Sequence, residues 1–540
     1  MQYLCCYAKA LQHSLFQYGS FSARFMFTDL SDIDETAQAK VGPEIWTVKS
    51  DKAPHSKGKV FSNFFWRFAE RVGAQLVAFI VSIVLARILE PSAYGVVALI
   101  TVITTIMQVF VDSGLGTALI QKKDADNLDF STVFYTNIVF CALLYIGLFF
   151  ASPYIADFYN DPNLVPYIRV LGLTVLISGI KNVQQAYVSR HMMFKKFFFS
   201  TLGGTLTAGV VGVIMALLGA GVWALVAQHV INLSIDTFIL WIIVKWRPKL
   251  KFSFTRLKGL FSFGWKLLAS ALIDTVYTNI RQLIIGKLYS SANLAQYNRG
   301  RQFPYLIILN VNASIDSVLL PAMSNEQDDV QRVKAMTRRS IKISTYIMAP
   351  LMLGLAFVGE PLVSLILTDK WLPSVLFMRI FCITFMFYPI HTSNLNAIKA
   401  MGRSDIFLKL EILKKSVGMI ALLSTMWISV EAMAYSMLLT SLINQLINSW
   451  PNKKLLSYGY KEQIKDILHA VLLALFMGCC IYPIQLLNLP NILTLLLQIP
   501  SGVIIYVVGS KLLKIDSFGY LWEIVKSFIQ KKRGVKKRGE

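Results

Sequence analysis

The chain has 540 residues, of which 55% are hydrophobic and only 15% are charged, and its mean hydropathy is +0.55. Soluble domains carry about a quarter charged residues, so this composition excludes an ordinary soluble enzyme or binding module. The net charge of +23 does not indicate nucleic-acid binding, because the basic residues are divided among separate loops. The six cysteines have no metal-ligand spacing, and we expect them to be small apolar residues in helices.

The first 56 residues differ from the rest of the chain. They are largely polar, without periodicity, and lack the basic start and apolar core of a signal peptide. We interpret residues 1–56 as a polar cytoplasmic tail or as a stretch upstream of the true start, and both readings stay open.

Apolar runs of about 20 residues recur from near residue 60 to near residue 513, and each is long enough to cross about 30 Å of hydrocarbon as a helix. The predicted fold class is therefore all-α, a polytopic membrane protein with about 14 transmembrane helices. The predicted spans are 62–85, 93–116, 131–152, 166–187, 198–219, 221–244, 262–286, 303–324, 341–366, 374–396, 408–430, 431–450, 466–487 and 491–513.

The loops between these spans differ in charge. With the N-terminus inside, the inner loops and tail hold about 34 Lys and Arg, and the outer loops hold about six. This bias predicts a multi-pass membrane protein with both termini in the cytoplasm. The concentration of basic residues in the inner loops, where they attract anionic lipid, then accounts for the high net charge.

The first and seventh spans resemble each other. Trp66-Arg67 is matched by Trp265-Lys266, and the distance from Trp66 to Arg87 is 21 residues, while that from Trp265 to Lys287 is 22. The match predicts two parallel six-helix lobes related by a pseudo-two-fold axis along the membrane normal, with a cavity between them. The predicted domains are an N-lobe at 57–250, a C-lobe at 251–455, two further spans at 456–515 and a basic cytoplasmic tail at 516–540.

The stretch "LARILEPSAYG", residues 85–95, places charge, proline and glycine between two apolar runs. Proline disfavours helix at the residue before it, and tyrosine is common at membrane interfaces, so we expect an outer turn here. A partial copy at residues 286–297 predicts one such hinge in each lobe. The predicted hinge residues are Arg87, Pro91, Tyr94, Gly95, Lys287 and Tyr297.

Four motifs carry a family resemblance: "ARILEPSAYGVVAL", "VFVDSGLGTALIQKKD", "GVWALVAQ" and "YNRGRQF" followed by "LLPAMS". They resemble the polysaccharide flippases of the multidrug/oligosaccharidyl-lipid/polysaccharide exporter superfamily, in the branch that exports O-antigen and exopolysaccharide units. The resemblance covers about residues 57–513. It implies a flippase of the bacterial inner membrane, for surface polysaccharide and lipopolysaccharide biosynthesis, that opens alternately to each side of the membrane. It also implies an undecaprenyl-pyrophosphate-linked oligosaccharide as substrate, and a polysaccharide polymerase and chain-length proteins as partners.

Charged side chains inside the spans are the candidate site residues, because a charge near mid-bilayer costs about 2.5–3.5 kcal/mol and needs a function or a partner. Cations would neutralise the pyrophosphate of such a substrate, and amides would hold its sugar. The predicted substrate-binding residues are Arg67, Arg71, Lys181, Lys266, Arg281 and Asn279. Snorkelling to the headgroups is the alternative for several of these cations, and an Asp274–Arg281 ion pair is the alternative for Arg281.

Buried carboxylates are the candidates for coupling to an ion gradient, of protons or sodium, since burial favours their protonated form. These are Glu70, Asp274 and Asp316. No nucleotide-binding loop, zinc-protease motif or nucleophile elbow occurs, so we predict no enzyme, no metal and no cofactor. The main alternative is a multidrug or small-molecule cation-coupled exporter of the same superfamily. A membrane glycosyltransferase and a channel fit less well, because the outer loops are short and the repeat indicates two lobes.

Overall fold

The computed structural model describes residues 57–523 and residue 526, with side chains from residue 73 onward except those of Ser113 and Phe263. The predictions for residues 1–56 and for most of the tail lie outside the described residues. Helices joined by short turns make up nearly all of the described range. They are α1 Lys57–Ile88, α2 Pro91–Val111, a π-helix at Asp112–Gly116, α3 Thr117–Gln121, α4 Asn127–Tyr159, α5 Leu164–Arg190, α6 Phe194–Leu217, α7 Val222–Ile243, α8 Phe254–Leu288, α9 Ser291–Asn325, α10 Val330–Phe357, α11 Gly359–Leu367, α12 Ser374–Met386, α13 Tyr388–Ala400, α14 Ser404–Thr425, α15 Val430–Leu455, α16 Tyr460–Ile481 and α17 Asn491–Leu512.

Eleven helical stretches in the described range are long and apolar enough to cross a membrane, and α8, which bends by 48° next to Gly264, would be the twelfth. The prediction of an all-helical polytopic membrane protein is confirmed. Each of the fourteen predicted spans overlaps a helix, but the number of fourteen crossings is not confirmed. Among the helices that do not qualify, α14 carries five charged residues in its first twelve positions, which is too many for a simple hydrophobic span.

The described chain forms two compact units, the first ending at Gln296 and the second beginning at Tyr297. The division falls within α9. The predicted lobe boundary at residues 250 and 251, and the other predicted domain limits, stay predictions.

Trp246 anchors the connection between α7 and α8 at one end of the first unit. Its side chain is buried, and its ring stacks at 6.0 Å on Tyr187. The indole Nε1 donates to Asn127 Oδ1 at 2.8 Å, and the Trp246 carbonyl accepts from Gln184 Nε2 at 3.1 Å. A non-helical segment, residues 244–253, is thereby fixed to α4 and α5. The apolar neighbours in this cluster include Phe130, Phe134, Val183 and Leu240.

Ion pairs fix the same end of the unit. The carboxylate of Asp129 is fully buried and binds Lys122 Nζ at 2.6 Å and Arg256 Nη1 at 3.1 Å. Arg256 also binds Asp126, whose side chain caps α4 by accepting from the backbone N–H groups of Leu128 and Asp129. Because Arg256 lies in the first turn of α8, the segment between α7 and α8 is held to the first unit at both of its ends.

We expect W246A to destabilise the protein by about 3–5 kcal/mol, because it empties a buried aromatic site and removes a hydrogen bond. W246F keeps most of the buried area and should cost about 1 kcal/mol. Thermal unfolding in detergent micelles measures both. W427A is the matched control, since Trp427 is 71% exposed; an equal loss of stability in W427A would contradict this assignment.

In the second unit, buried amides join three helices. Asn394 Oδ1 on α13 accepts from Asn452 Nδ2 of α15 at 2.7 Å and from Gln463 Nε2 of α16 at 3.0 Å. Asn394 Nδ2 donates in turn to Gln463 Oε1 at 2.9 Å, and all three side chains are buried. Interhelical amide bonds of this kind hold helices together where lipid supplies no hydrophobic driving force. They tie α16, the thirteenth predicted span, to the helices before it.

Candidate functional site

A buried ion pair joins α5 and α7 of the first unit. Lys181 Nζ lies 2.6 Å from Asp236 Oδ2, and the two side chains are only 12% and 6% exposed. Lys181 stands nine residues before the end of α5, and Asp236 seven residues before the end of α7. At 1.5 Å per residue, both lie about 10–14 Å inside their helices. A Cβ at Gly204 of α6 would lie 2.9 Å from Asp236 Cβ, so α6 packs closely on this part of α7.

A second group of polar side chains lies at the same depth. Asn182, next to Lys181 in sequence, donates from Nδ2 to Asp112 Oδ1 at 2.9 Å. Its Oδ1 accepts from Asn137 Nδ2 of α4 at 3.3 Å. Asp112 opens the π-helix, nine residues before the end of α3, and π-helices are frequent at functional sites. We call these five residues, Asp112, Asn137, Lys181, Asn182 and Asp236, the polar layer of the first unit.

The polar layer carries two acids and one base. The Lys181–Asp236 pair cancels one charge of each sign, and the amide of Asn182 contacts the second acid, Asp112. Asp236 Oδ1 has no hydrogen-bond partner among the described side chains. An intramembrane site with one excess acid is suited to take up a cation or a proton.

Two arginines lie in the first third of α9, in the second unit. The Arg299 guanidinium stands 4.8 Å from the Trp371 ring centre, and Nη1 donates to Gln302 Oε1 at 2.7 Å. Arg301 stands over Tyr305 at 5.2 Å, and its Nε has no hydrogen-bond partner within the described part of the chain. They lie about 12–15 Å along the helix from Ser291.

The second unit also has a polar contact well inside two of its helices. Asn448 Nδ2 of α15 lies 3.2 Å from His391 Nδ1 of α13. His391 stands nine residues before the end of α13, and Asn448 seven before the end of α15, the same offsets that Lys181 and Asp236 have in α5 and α7. The two units therefore place a polar pair at corresponding positions, ionic in one and neutral in the other.

The predicted cations are distributed over several helices. Lys181 is joined to Asp236, as described. Lys266 and Asp274 are exposed on α8, and Arg281 is half-buried on the same helix. Asn279 bonds within α8, donating to the Thr275 carbonyl at 2.8 Å. The side chains of Arg67, Glu70 and Arg71 lie outside the described residues, and the binding roles of all these residues stay predictions.

The predicted turns are present. Helix α1 ends at Ile88 and α2 begins at Pro91, while α8 ends at Leu288 and α9 begins at Ser291. A Cβ at Gly95 would lie 1.7 Å from the carbonyl oxygen of Ser291, so the two turns are in direct backbone contact. Lys287 Nζ donates to the Phe158 carbonyl. The hinge role of these residues stays a prediction.

Asp316, a predicted coupling carboxylate, attracts the Lys399 ammonium on α13 electrostatically. Glu411 attracts the same ammonium group. The coupling role of Asp316 stays a prediction. The sequence analysis did not single out Asp112, Asp236, Arg299 or Arg301. One sequence signal could have found the Lys181–Asp236 pair. The two spans hold these residues, of opposite charge, at a similar distance from their ends.

Paired charges and buried amides inside the membrane helices make these residues the candidate functional site. The structure resembles the lipid II flippase MurJ in its inward closed conformation, with a TM-score of 0.67 and 14% identity over 85% of this chain and 99% of that chain. It also resembles an inward-facing multidrug resistance transporter of the MATE family, with a TM-score of 0.56 and 14% identity over 71% of this chain and 94% of that chain. These likenesses establish the fold.

Residues 84–376 match the family described as "Polysaccharide biosynthesis protein", and the chain belongs to this family. It is 25% identical over 394 residues to the teichuronic acid biosynthesis protein TuaB of Bacillus subtilis, covering 71% of this chain and 80% of that protein. It is also 25% identical over 338 residues to the lipopolysaccharide biosynthesis protein WzxC of Escherichia coli, covering 61% of this chain and 68% of that protein. The resemblance to the polysaccharide flippases is confirmed.

Proposed function

We propose that this protein is a flippase that moves lipid-linked oligosaccharide repeat units across the bacterial inner membrane for surface polysaccharide biosynthesis. The observation that carries the proposal is the family match over residues 84–376 on a fold like that of a lipid II flippase. The relatives are named for the biosynthesis of teichuronic acid and lipopolysaccharide and, in Rhizobium meliloti, for transport in succinoglycan biosynthesis. The protein is a transporter rather than an enzyme, and it works by alternating access.

The substrate chemistry supports a role for the intramembrane cations. An undecaprenyl-pyrophosphate carrier brings a diphosphate into the membrane, and guanidinium groups bind phosphate oxygens through paired hydrogen bonds. Arg301 retains a donor, Nε, that no described residue engages. We assign Arg301 of the second unit to the diphosphate, and Lys181, Lys266 and Arg281 of the first unit stay candidates for such a contact. Arg301, with Arg299 two residues before it, disfavours the alternative, an exporter of cationic drugs, because a positive site repels such cargo.

An ion gradient is the proposed energy source. The polar layer holds one acid more than it holds bases, and protonation or cation binding there would remove that excess charge. Asp112 and Asp236 join Glu70, Asp274 and Asp316 as candidates for this role. The proposed location is the inner membrane with both termini in the cytoplasm, following the charge bias of the loops. A polysaccharide polymerase and chain-length proteins are the proposed partners.

Deletion of the gene should abolish the surface polysaccharide and cause lipid-linked units to accumulate on the cytoplasmic side. R301Q should restore transport about 10–100-fold less well than the wild type, because it removes a charge-assisted contact of about 1.5–3 kcal/mol. R301K should be intermediate, since it keeps the charge but loses the paired geometry. The measurements are surface polysaccharide and the pool of lipid-linked intermediates, at matched levels of inserted protein.

R403Q is the matched control, because Arg403 pairs with Asp405 at the exposed start of α14. It should transport normally. Unchanged polysaccharide in the deletion strain, combined with raised drug sensitivity, would favour the multidrug exporter instead. Normal transport by R301Q would leave the family assignment intact and remove Arg301 from the site.

A further inference from the structure

One face of α9 in the second unit carries charged, aromatic and amide side chains. An α-helix turns by about 100° per residue, so positions 301, 305, 312 and 316 lie within about 60° of one another and extend over about 22 Å. A helix face that carries charge inside a membrane is directed toward the protein interior or toward water, because lipid penalises the charge. We call this set the polar face of α9, and its members are Arg301, Tyr305, Asn312 and Asp316.

The helices α12 and α13 of the same unit run along this face. The ring centres of Tyr305 and Phe385 on α12 are 6.2 Å apart. Seven residues further along both helices, Thr392 Oγ1 of α13 donates to Asn312 Oδ1 at 3.0 Å. The equal steps show that α9 and the α12–α13 pair run side by side in the same direction. Side chains of both therefore contribute to one continuous surface.

Two tyrosine rings remain partly open at this surface. Tyr305 and Tyr388 are each 42% exposed, whereas Phe385, which contacts both rings, is buried. The Arg301 guanidinium stands 5.2 Å from the Tyr305 ring centre. Phe385 and His391 contact Tyr388 edge to face, with centres 5.4 Å and 5.8 Å away. These contacts fix the planes of the two tyrosine rings and leave part of each ring uncovered by the described residues.

The chemistry of this surface matches that of a sugar. A pyranose ring has polarised C–H bonds on its faces, which are attracted to the electron-rich face of an aromatic ring. The hydroxyl groups at its edge need hydrogen-bond partners. Asn312 can supply one, because its Oδ1 is engaged by Thr392 and no described residue accepts from its Nδ2. Tyr388 lies one helical turn before Thr392, and so on the same side of α13.

We propose that Tyr305 and Tyr388 form a stacking surface for a pyranose ring of the transported oligosaccharide, with Asn312 bonding to sugar hydroxyls. The inference rests on the proposed function and adds the sugar contact to it. Tyr305 is one turn of α9, about 6 Å, from Arg301. A sugar joined directly to a diphosphate at Arg301 would therefore reach the Tyr305 ring. The sugars that follow would extend toward Tyr388 and Asn312, which lie further along the same surface.

Binding of two lipids to the full-length protein in detergent micelles tests the proposal. The lipids are undecaprenyl pyrophosphate and the same lipid carrying one glucose, whose ring presents C–H bonds on both faces. The wild type should bind the glucosylated lipid more tightly than the bare lipid. Y305A should bind the glucosylated lipid about 3–10-fold more weakly than the wild type does, because an aromatic contact is lost, and should bind the bare lipid normally. Y305F should bind both lipids like the wild type, because it keeps the ring.

Y388A should show the same selective loss as Y305A, and retained binding of the bare lipid shows that each variant is folded. The matched control is Y435A, because Tyr435 on α15 is 50% exposed and lies on another helix. It should bind both lipids normally. Equal weakening of both lipids in Y305A would overturn the sugar contact, since the ring would then serve the diphosphate or the lipid chain.

The same assay separates this inference from the proposed function. R301Q should weaken both lipids alike, because both carry the diphosphate. A wild type that binds neither lipid would overturn the proposed function and the sugar contact with it. A wild type that binds both lipids equally, with no effect of Y305A or Y388A, would remove only the sugar contact.

Discussion

The D236N variant is expected to reach the membrane in smaller amounts, and to unfold at lower temperature, than the double variant K181Q/D236N. The single change leaves the Lys181 ammonium buried without its counter-charge, and breaking a buried ion pair in this way costs about 3–5 kcal/mol. In the double variant two neutral amides replace the pair and can hydrogen-bond to each other. Thermal unfolding in detergent and the level of inserted protein measure the difference.

Transport by the double variant separates two roles for the pair. If the pair only joins α5 to α7, the double variant should fold and transport like the wild type. If Lys181 also contacts the diphosphate, or Asp236 couples transport to the ion gradient, as proposed, the double variant should fold but lose about 10–100-fold of its transport. The charge-exchanged variant K181D/D236K is a further check, because it keeps an ion pair but moves the cation to α7. Equal stability of D236N and the double variant would contradict the assignment of a buried ion pair.

The second large effect is expected at Gly95. In G95A the new Cβ would lie 1.7 Å from the carbonyl oxygen of Ser291, which is backbone and cannot rotate away. The turns at the starts of α2 and α9 would have to separate, and overpacking of this kind costs about 1–3 kcal/mol or more. We expect a lower unfolding temperature in detergent and reduced polysaccharide export in cells.

Gly147 provides the control for this experiment. It lies within α4, and a Cβ there would meet no described atom within 4 Å. G147A should be neutral or slightly stabilising, because alanine favours the helix by about 1 kcal/mol over glycine. A comparable loss in G147A would show that the effect of G95A does not depend on the contact between the turns.

The architecture could be predicted from the sequence because a membrane helix needs only a long apolar run, which is a local property. The turn at Glu90 and Pro91 was predicted from the same local rules, and α2 does begin at Pro91. The segment between α7 and α8, residues 244–253, is predicted from the sequence only as a basic loop. That Trp246 is buried there depends on the packing of α4 and α5 around it, and no periodicity in residues 244–253 indicates this.

The site was harder to predict, for two physical reasons. The eighth span was expected to begin at residue 303, whereas α9 begins at Ser291, so Arg299 and Arg301 were counted as loop residues. An arginine stabilised by aromatic rings can lie inside a helix that continues past the apolar run. The Lys181–Asp236 pair joins residues 55 positions apart, and only the packing of α5 on α7 brings them together.

The polar pairs at matching offsets, Lys181 with Asp236 and His391 with Asn448, have an evolutionary consequence. If the two halves descend from one duplicated ancestor, the same two positions have since acquired different chemistry, ionic in one copy and neutral in the other. The two halves of the protein thus differ by substitutions at equivalent positions. The variant K181H/D236N would give the first half the same pair as the second. Its transport activity would show whether transport needs the charges or only a polar contact between these helices.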